Sequence, residues 1–123
     1  MVSVSCYFQK DDDVVWNPSN SLARAFIGQA DALSQLVGKE TGLGEIVEDE
    51  GHINTAVFGE FLDALAQTYR DSHNEALRAL LTGFLSVSLV LAERIGLTLP
   101  FLGTESADMW AIQREISSRS MPR

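Results

Sequence analysis

The sequence predicts a mainly α protein, an antiparallel bundle of about four helices with an N-terminal β-hairpin packed on one side. Four segments repeat apolar residues at intervals of three and four, which is the spacing of one helix face. Residues typical of helix caps flank these segments. Residues 2–8 instead alternate apolar and polar side chains, the pattern of a half-buried strand.

The length of 123 residues predicts a single domain, residues 1–123, because domains cluster at roughly 100–150 residues. A hydrophobic fraction of 46% and a charged fraction of 21% are ordinary for a folded globular protein. We find no internal repeat and no linker long enough to divide the chain. The predicted parts are a hairpin at 1–16 and main helices at 17–38, 54–70, 73–96 and 104–118.

The hairpin prediction rests on two short patterns. Val2, Val4 and Cys6 fall on one side of an extended chain, with serines and a tyrosine on the other. Residues 10–13 then form a charged turn, and residues 14–16 are β-branched and aromatic, as in a second strand. The three aspartates of the turn are interpreted as solvated, because a calcium loop interleaves its ligands and includes a turn glycine.

The first helix is predicted to open at Asn17, a preferred N-cap, with Pro18 at the first helical position. Gly38 is placed to end the helix in the left-handed conformation. After a loop at 41–44, the acidic residues 45–50 are predicted to form one short turn of helix. The apolar stripe of the first helix consists of Leu22, Phe26, Ala30 or Leu33, and Val37.

The second helix is predicted to start near Asn54 or Thr55. Ser72 and Glu75 have the spacing of a capping box for the third helix, which ends at Gly96. The third helix is apolar nearly all the way round, as in the buried centre of a bundle or an oligomer interface. The apolar face of the second helix consists of Val57, Phe58, Phe61, Leu62, Leu65 and Tyr69.

The fourth helix is predicted to be capped by Thr104 or Ser106, after Pro100 has ended the preceding segment. The tail at 117–123 is polar and is predicted to fray. The apolar residues of this helix are Met109, Trp110, Ile112 and Ile116.

The overall charge limits the classes of partner. A net charge of −8 repels phosphate backbones and anionic lipids, so neither nucleic acid nor a membrane is the expected partner. One cysteine, Cys6, allows no intrachain disulfide, and the N-terminus does not have the pattern of a signal peptide. The most apolar segment, residues 79–92, is shorter than the ~20 residues of a spanning helix. These features predict a cytoplasmic protein.

An acidic cluster with a nearby histidine is the first candidate site. Its residues are Glu45, Glu48, Asp49, Glu50 and, just beyond, His52. A di-metal centre in a helical bundle needs Glu-x-x-His on each of two helices, whereas the i, i+3 relation occurs once here, with aspartate in place of glutamate. The cluster is therefore interpreted as a solvated acidic surface, with neither metal nor cofactor predicted.

Other residues leave two interpretations open. Trp16 and Trp110 can line a partner surface or seal the ends of the bundle. Four arginines are similarly divided between anchoring a partner and pairing with the protein's own carboxylates: Arg24, Arg70, Arg78 and Arg94. Cys6 suits an inert core thiol, although the fold could bring it to a histidine. No nucleophile elbow, P-loop or dinucleotide-binding glycine motif is present, so no catalytic residue is predicted.

A family resemblance is centred on the predicted strand-to-helix corner. Its residues are Trp16-Asn17-Pro18-Ser19-Asn20, then Ala23, Arg24 and Phe26, then Gly42-Leu43-Gly44, the acidic stretch to Glu50, and Leu77-Arg78-Ala79-Leu80-Leu81. Over most of its length the chain resembles a group of small uncharacterised bacterial proteins classed as a domain of unknown function. The resemblance implies a bacterial intracellular protein and a fold-defining corner at 16–19, but it implies no activity.

The sequence therefore predicts a non-catalytic protein–protein interaction or accessory protein, of the immunity or antitoxin kind, with an acidic surface for a basic partner. A homodimer through the third helix is a companion prediction, tested by Leu85→Glu or Leu89→Glu. The alternative is a small-molecule-binding helical protein or small enzyme, with a site between the helices near Trp16, Tyr69, Asp71 and His73. The predicted partner-binding residues are Glu45, Glu48, Asp49, Glu50, Trp16 and Trp110.

Overall fold

The computed structural model describes residues 5–99 and 107–123 and has four helices and three short strands in these ranges. The mainly α class and the N-terminal hairpin are thereby confirmed. The predicted strand residues Val2 and Val4, and the predicted caps Thr104 and Ser106, lie outside the described residues. In chain order the elements are β1 (Tyr7–Lys10), β2 (Asp13–Trp16), α1 (Asn20–Val37), β3 (Glu50–His52), α2 (Thr55–Asp71), α3 (Glu75–Arg94) and α4 (Ala107–Ser118).

The three strands form one small mixed sheet with β1 in the centre. β2 pairs with β1 in antiparallel fashion around a tight turn, with Lys10 opposite Asp13. β3 pairs with the other edge of β1 in parallel, with Phe8 opposite Gly51. This third strand was not predicted, because the acidic residues that precede and begin it were assigned to a helical turn.

The first helix begins two residues later than predicted. Its N-cap is Ser19, whose Oγ accepts a hydrogen bond from the backbone N–H of Leu22 over 3.2 Å. The prediction that Asn17 is the cap is wrong, because Ser19 supplies the capping oxygen, and the side-chain oxygen of Asn17 has no hydrogen-bond partner among the described residues. The backbone N–H of Asn17 donates to the carbonyl of Pro122 near the other end of the chain. Gly38 ends the helix at φ 66°, which confirms the predicted left-handed cap.

Asparagines cap both central helices. Asn54 accepts from the N–H of Val57, which confirms the predicted start of α2, and Asn74 accepts from the N–H of Leu77 at the start of α3. The predicted capping box of the third helix is wrong. Ser72 lies at the end of α2, and its Oγ accepts from the N–H of Asn74.

The central element is α3, which contacts α1, α2, α4 and β2. Nearly every side of its C-terminal half is buried, as its all-round apolar sequence predicts. By length and composition α3 could cross a membrane, with a mean hydropathy of 1.6, but half of that window is buried within the fold, as in the core helix of a globular protein. Its buried residues are Leu81, Phe84, Leu85, Ser86, Ser88, Leu89, Val90, Leu91 and Ala92.

The C-terminal segment packs on the fold, so the prediction that it frays is wrong. Met121 is 3% exposed, and the carbonyl of Pro122 receives the hydrogen bond from Asn17 over 2.8 Å. The predicted apolar face of α4 is only partly correct. Trp110 is buried, whereas Ile112 and Ile116 are 59% and 51% exposed.

Candidate functional site

The acidic cluster lies on a small hairpin at the edge of the sheet, which we call the acidic hairpin (residues 43–53). Leu43 pairs with Ile53 at its base and Val47 with Glu50 at its tip, each in antiparallel fashion. The N–H of Gly44 also donates to the carbonyl of His52 over 2.9 Å. The predicted helical turn at 45–50 is therefore wrong, because these backbone groups bond across the hairpin and not along a helix.

The tip of the acidic hairpin is a two-residue turn in an unfavourable backbone conformation. Glu48 and Asp49 have φ values of 52° and 65°, as in a type I′ turn. Val47 and Glu50 close the turn with reciprocal backbone hydrogen bonds of 3.0 Å. Asparagine and glycine are the usual residues of such turns, because other side chains crowd the backbone at positive φ.

We expect the double substitution Glu48→Asn and Asp49→Gly to stabilise the protein by about 1 kcal/mol, because it relieves this backbone crowding. In a domain of this size that corresponds to a rise in Tm of about 4 °C, measured by thermal unfolding. The control is Glu48→Ala, which removes the carboxylate without easing the positive φ and should bring no gain. An equal gain in the control would mean that charge repulsion, and not backbone conformation, limits stability here.

The side chains of the acidic hairpin face solvent. Glu45, Glu48 and Glu50 are exposed, and Asp49 is half-buried. Val47, between them, is 62% exposed. The hairpin thus presents one apolar side chain surrounded by carboxylates.

A groove separates the acidic hairpin from α1. Two cavities, of about 570 Å³ and 390 Å³, share Arg24 and Ile46 in their walls. Asp31 and Glu45 line the first, and Asp49 lines the second. The groove therefore places one guanidinium group on the α1 side of the hairpin. Arg24 is one of the four arginines whose role the sequence left open, and its position opposite the hairpin follows from the fold.

The described side chains that could bind a metal ion do not form a ligand group at the acidic hairpin. His52 is exposed on β3, where its alternation with the buried Gly51 directs it to solvent. Within residues 5–99 and 107–123, no group of three or more histidine, cysteine or acidic side chains is close enough to hold a metal ion.

The two tryptophans are core residues in this fold. Trp16 is 1% exposed and stacks on Phe8 with ring centroids 5.4 Å apart, and it also lines a cavity between α1 and α3. Trp110 is 3% exposed and meets Tyr69 edge-on at 5.2 Å. Neither indole offers an open surface in this conformation, so partner binding through them stays a prediction.

The residues proposed for a small-molecule site have separate contacts within residues 5–99 and 107–123. The guanidinium of Arg78 lies over the ring of Tyr69, 4.4 Å from its centroid, and the same side chain donates to the Tyr69 carbonyl. Asp71 accepts from the amide of Gln67, and His73 is exposed between α2 and α3. Of the residues suggested for that site, Trp16 alone lines the cavity between α1 and α3.

Cys6 and Arg94 have structural surroundings. Cys6 is fully buried, and this burial, with a smaller contribution from the carboxylate of Asp49, raises the pKa of its thiol. A raised pKa keeps the sulfur protonated and unreactive at neutral pH. Arg94 donates from Nη1 to the carbonyl of Val15 over 2.7 Å, which ties α3 to β2. Burial lowers the pKa of this guanidinium, but an arginine remains charged at neutral pH.

A protein-family model matches nearly the whole chain. The model of a family of unknown function, DUF6086, covers residues 4–123. No curated protein and no solved structure matches the chain.

Proposed function

The chain belongs to the DUF6086 family, a family of unknown function, and we propose that it is a non-catalytic accessory protein that binds a basic protein partner through its acidic hairpin. The proposal places it inside a bacterial cell, in the manner of an immunity or antitoxin protein. The observation that carries it is the exposed tip of the hairpin, where Val47 stands among Glu45, Glu48 and Glu50.

This arrangement suits a protein interface. An apolar side chain gains free energy when a partner covers it, whereas the surrounding carboxylates select partners of positive charge. The strained turn supports the same proposal. Backbone conformations that cost free energy persist where they position side chains for function, and here they hold Glu48 and Asp49 at the tip.

The charge of the whole molecule supports the choice of a basic partner. At a net charge of −8, the protein attracts a cationic surface over distances of about a Debye length, roughly 8 Å at physiological salt. Association should therefore be fast at low salt and slower as the ionic strength rises.

The test is a charge reversal of the hairpin tip, Glu45→Lys with Glu48→Lys and Glu50→Lys. A partner is first captured from the native host by cross-linking and identified, with the product of the neighbouring gene as the first candidate. Its affinity for wild type and variant is then measured by calorimetric titration at two salt concentrations. We expect the variant to lose at least about tenfold in affinity, since each reversed charge opposes a basic partner.

The matched control reverses three other exposed carboxylates, those of Asp11, Asp12 and Asp13 in the β1–β2 turn. It changes the net charge by the same amount at a different place. The proposal requires this control to retain most of the affinity of the wild type. Equal losses in both variants would indicate an effect of net charge alone, and a hairpin variant that binds like wild type would refute the proposed surface.

A homodimer through the third helix stays a separate proposal, but its test needs different residues. Leu85 and Leu89 are 0% and 2% exposed inside the protomer, so a glutamate at either position would disrupt the core. Leu80, which is 70% exposed on the same helix, tests that surface without entering the core.

A further inference from the structure

A cavity of about 360 Å³ lies between α1, α3 and the C-terminal segment. Phe26 forms part of its α1 wall, Phe84 and Val87 form part of its α3 wall, and Met121 closes it from the C-terminal side. The described residues that line it include no acidic or basic side chain, although the protein carries 17 acidic residues. Its volume falls in the range of sites that hold small organic molecules, about 300–1,000 Å³.

One polar group in the wall of this cavity has no partner. Trp16 lines the cavity and is 1% exposed, and no described residue accepts a hydrogen bond from its indole Nε1–H. Two other buried side-chain atoms lack a partner within the described ranges, on Asn17 and Ser88, but neither residue lines the cavity. A buried donor without an acceptor is unfavourable, so such groups are rare and call for an explanation.

We propose that this cavity binds a neutral, largely apolar small molecule that carries one carbonyl-type acceptor for the indole N–H of Trp16. Phe26, Phe84 and Val87 bury the body of the ligand, and the unpaired indole donor orients it, which is the usual composition of a small-molecule site. An anionic ligand is disfavoured, because no described residue of the lining is cationic and the protein is strongly negative. This site is separate from the acidic hairpin, so either proposal can fail without the other.

A glycine opens the cavity on the side of α3. A Cβ built at Gly83 meets no atom within 4 Å, and the residue lines the cavity. Glycine weakens a helix interior relative to other residues, so an open helical glycine here keeps space at the expense of stability. The variant Gly83→Leu should fill that space while leaving the fold intact.

The experiment follows the two indole N–H signals of the full-length protein by NMR. Trp16→Phe assigns the Trp16 signal by removing it, and Trp110 provides an internal reference. The probes are acetophenone and ethylbenzene, which have similar shape but differ in the carbonyl group. We expect acetophenone to shift the Trp16 signal saturably and to bind about three- to tenfold more tightly than ethylbenzene, the contribution of one neutral hydrogen bond.

Two glycine variants locate the site. We expect Gly83→Leu to weaken acetophenone binding at least tenfold. Gly28→Leu, at the other helical glycine with open space around its Cβ, should retain it, because Gly28 faces the groove beside the acidic hairpin. Both variants should unfold at or above the temperature of the wild type, which shows that a loss of binding does not come from unfolding.

Three results would overturn the proposal. Equal affinity for the two probes would mean that the indole N–H bonds to no ligand acceptor. Unchanged binding by Gly83→Leu would place the site elsewhere. A Trp16 signal that moves with protein concentration in the absence of probe, together with a dimeric mass by light scattering, would mean that a second copy of the chain covers this cavity.

Discussion

Replacing Phe84 by alanine is expected to lower the free energy of unfolding by about 3–5 kcal/mol, the usual range for a buried aromatic ring. Phe84 is 2% exposed on the central helix. Its ring stacks on Phe26 of α1 with centroids 5.1 Å apart and meets Phe61 of α2 edge-on at 6.0 Å. Phe84 therefore connects α3 to α1 and α2. Its removal leaves a cavity that the neighbouring rings cannot fill.

Chemical denaturation measures this effect, and Leu80→Ala is the control. Leu80 lies one turn earlier on the same helix and is 70% exposed, so its truncation should change the free energy of unfolding by less than about 0.5 kcal/mol. The comparison separates packing from helix propensity, because both substitutions introduce alanine into α3. Similar losses at the two positions would contradict the central place of Phe84 in the core.

The second large effect is expected from Gly42→Ala, which should destabilise the protein by about 3 kcal/mol or more. Gly42 has a φ of 79°, and a Cβ at this position would lie 2.5 Å from the backbone nitrogen of Phe58 and 3.0 Å from the carbonyl oxygen of Asn54. These atoms belong to the start of α2 and cannot move without unwinding its first turn. The substitution therefore combines an unfavourable φ with a steric clash against backbone.

The control for this prediction is Gly38→Ala, measured in the same way. Gly38 also has a positive φ, 66°, but a Cβ there meets nothing within 4 Å. Its substitution should cost only the conformational term, about 1–2 kcal/mol. The difference between the two variants reports the clash at α2, and equal losses would show that the loop at Gly42 can move away from the helix.

Local signals predicted much of the fold. Asn54 and Gly38 act as caps through neighbours three or four residues away, so the sequence around them is enough to place the ends of α2 and α1. The all-round apolar sequence of α3 predicted its central position for the same reason. The start of α1 was missed because Asn17 and Ser19 are both good caps, and the local sequence does not decide between them.

The acidic hairpin shows the opposite case. Its residues have no strand pattern of their own, and Glu48 and Asp49 are uncommon in a type I′ turn, so nothing local predicts β3. The strand forms because β1 offers a free edge, where the N–H of Tyr7 donates to the carbonyl of Asp49 over 2.7 Å. Composition alone identified the acidic residues of the candidate site, but their arrangement around Val47 depends on this distant pairing.

Composition was a poor guide to the cavity. The burial of Trp16 was one of two interpretations left open by the sequence, and the missing partner of its indole N–H depends on Phe8, Phe26 and the C-terminal segment around it. Gly83 carries no local signal other than an interrupted helix propensity. The cavity depends on how distant elements pack around an empty volume, and a pattern of residues along the sequence does not show that packing.

The parallel pairing of β1 with β3 also constrains the order in which the chain folds. Tyr7 and Glu50 face each other across the ladder, 43 positions apart in the chain, with the whole of α1 between them. Closing such a loop is entropically unfavourable until the intervening helix has collapsed onto its neighbours. We therefore expect the β1–β3 pairing to form only after α1 has folded, because the helix shortens the distance that the loop must span.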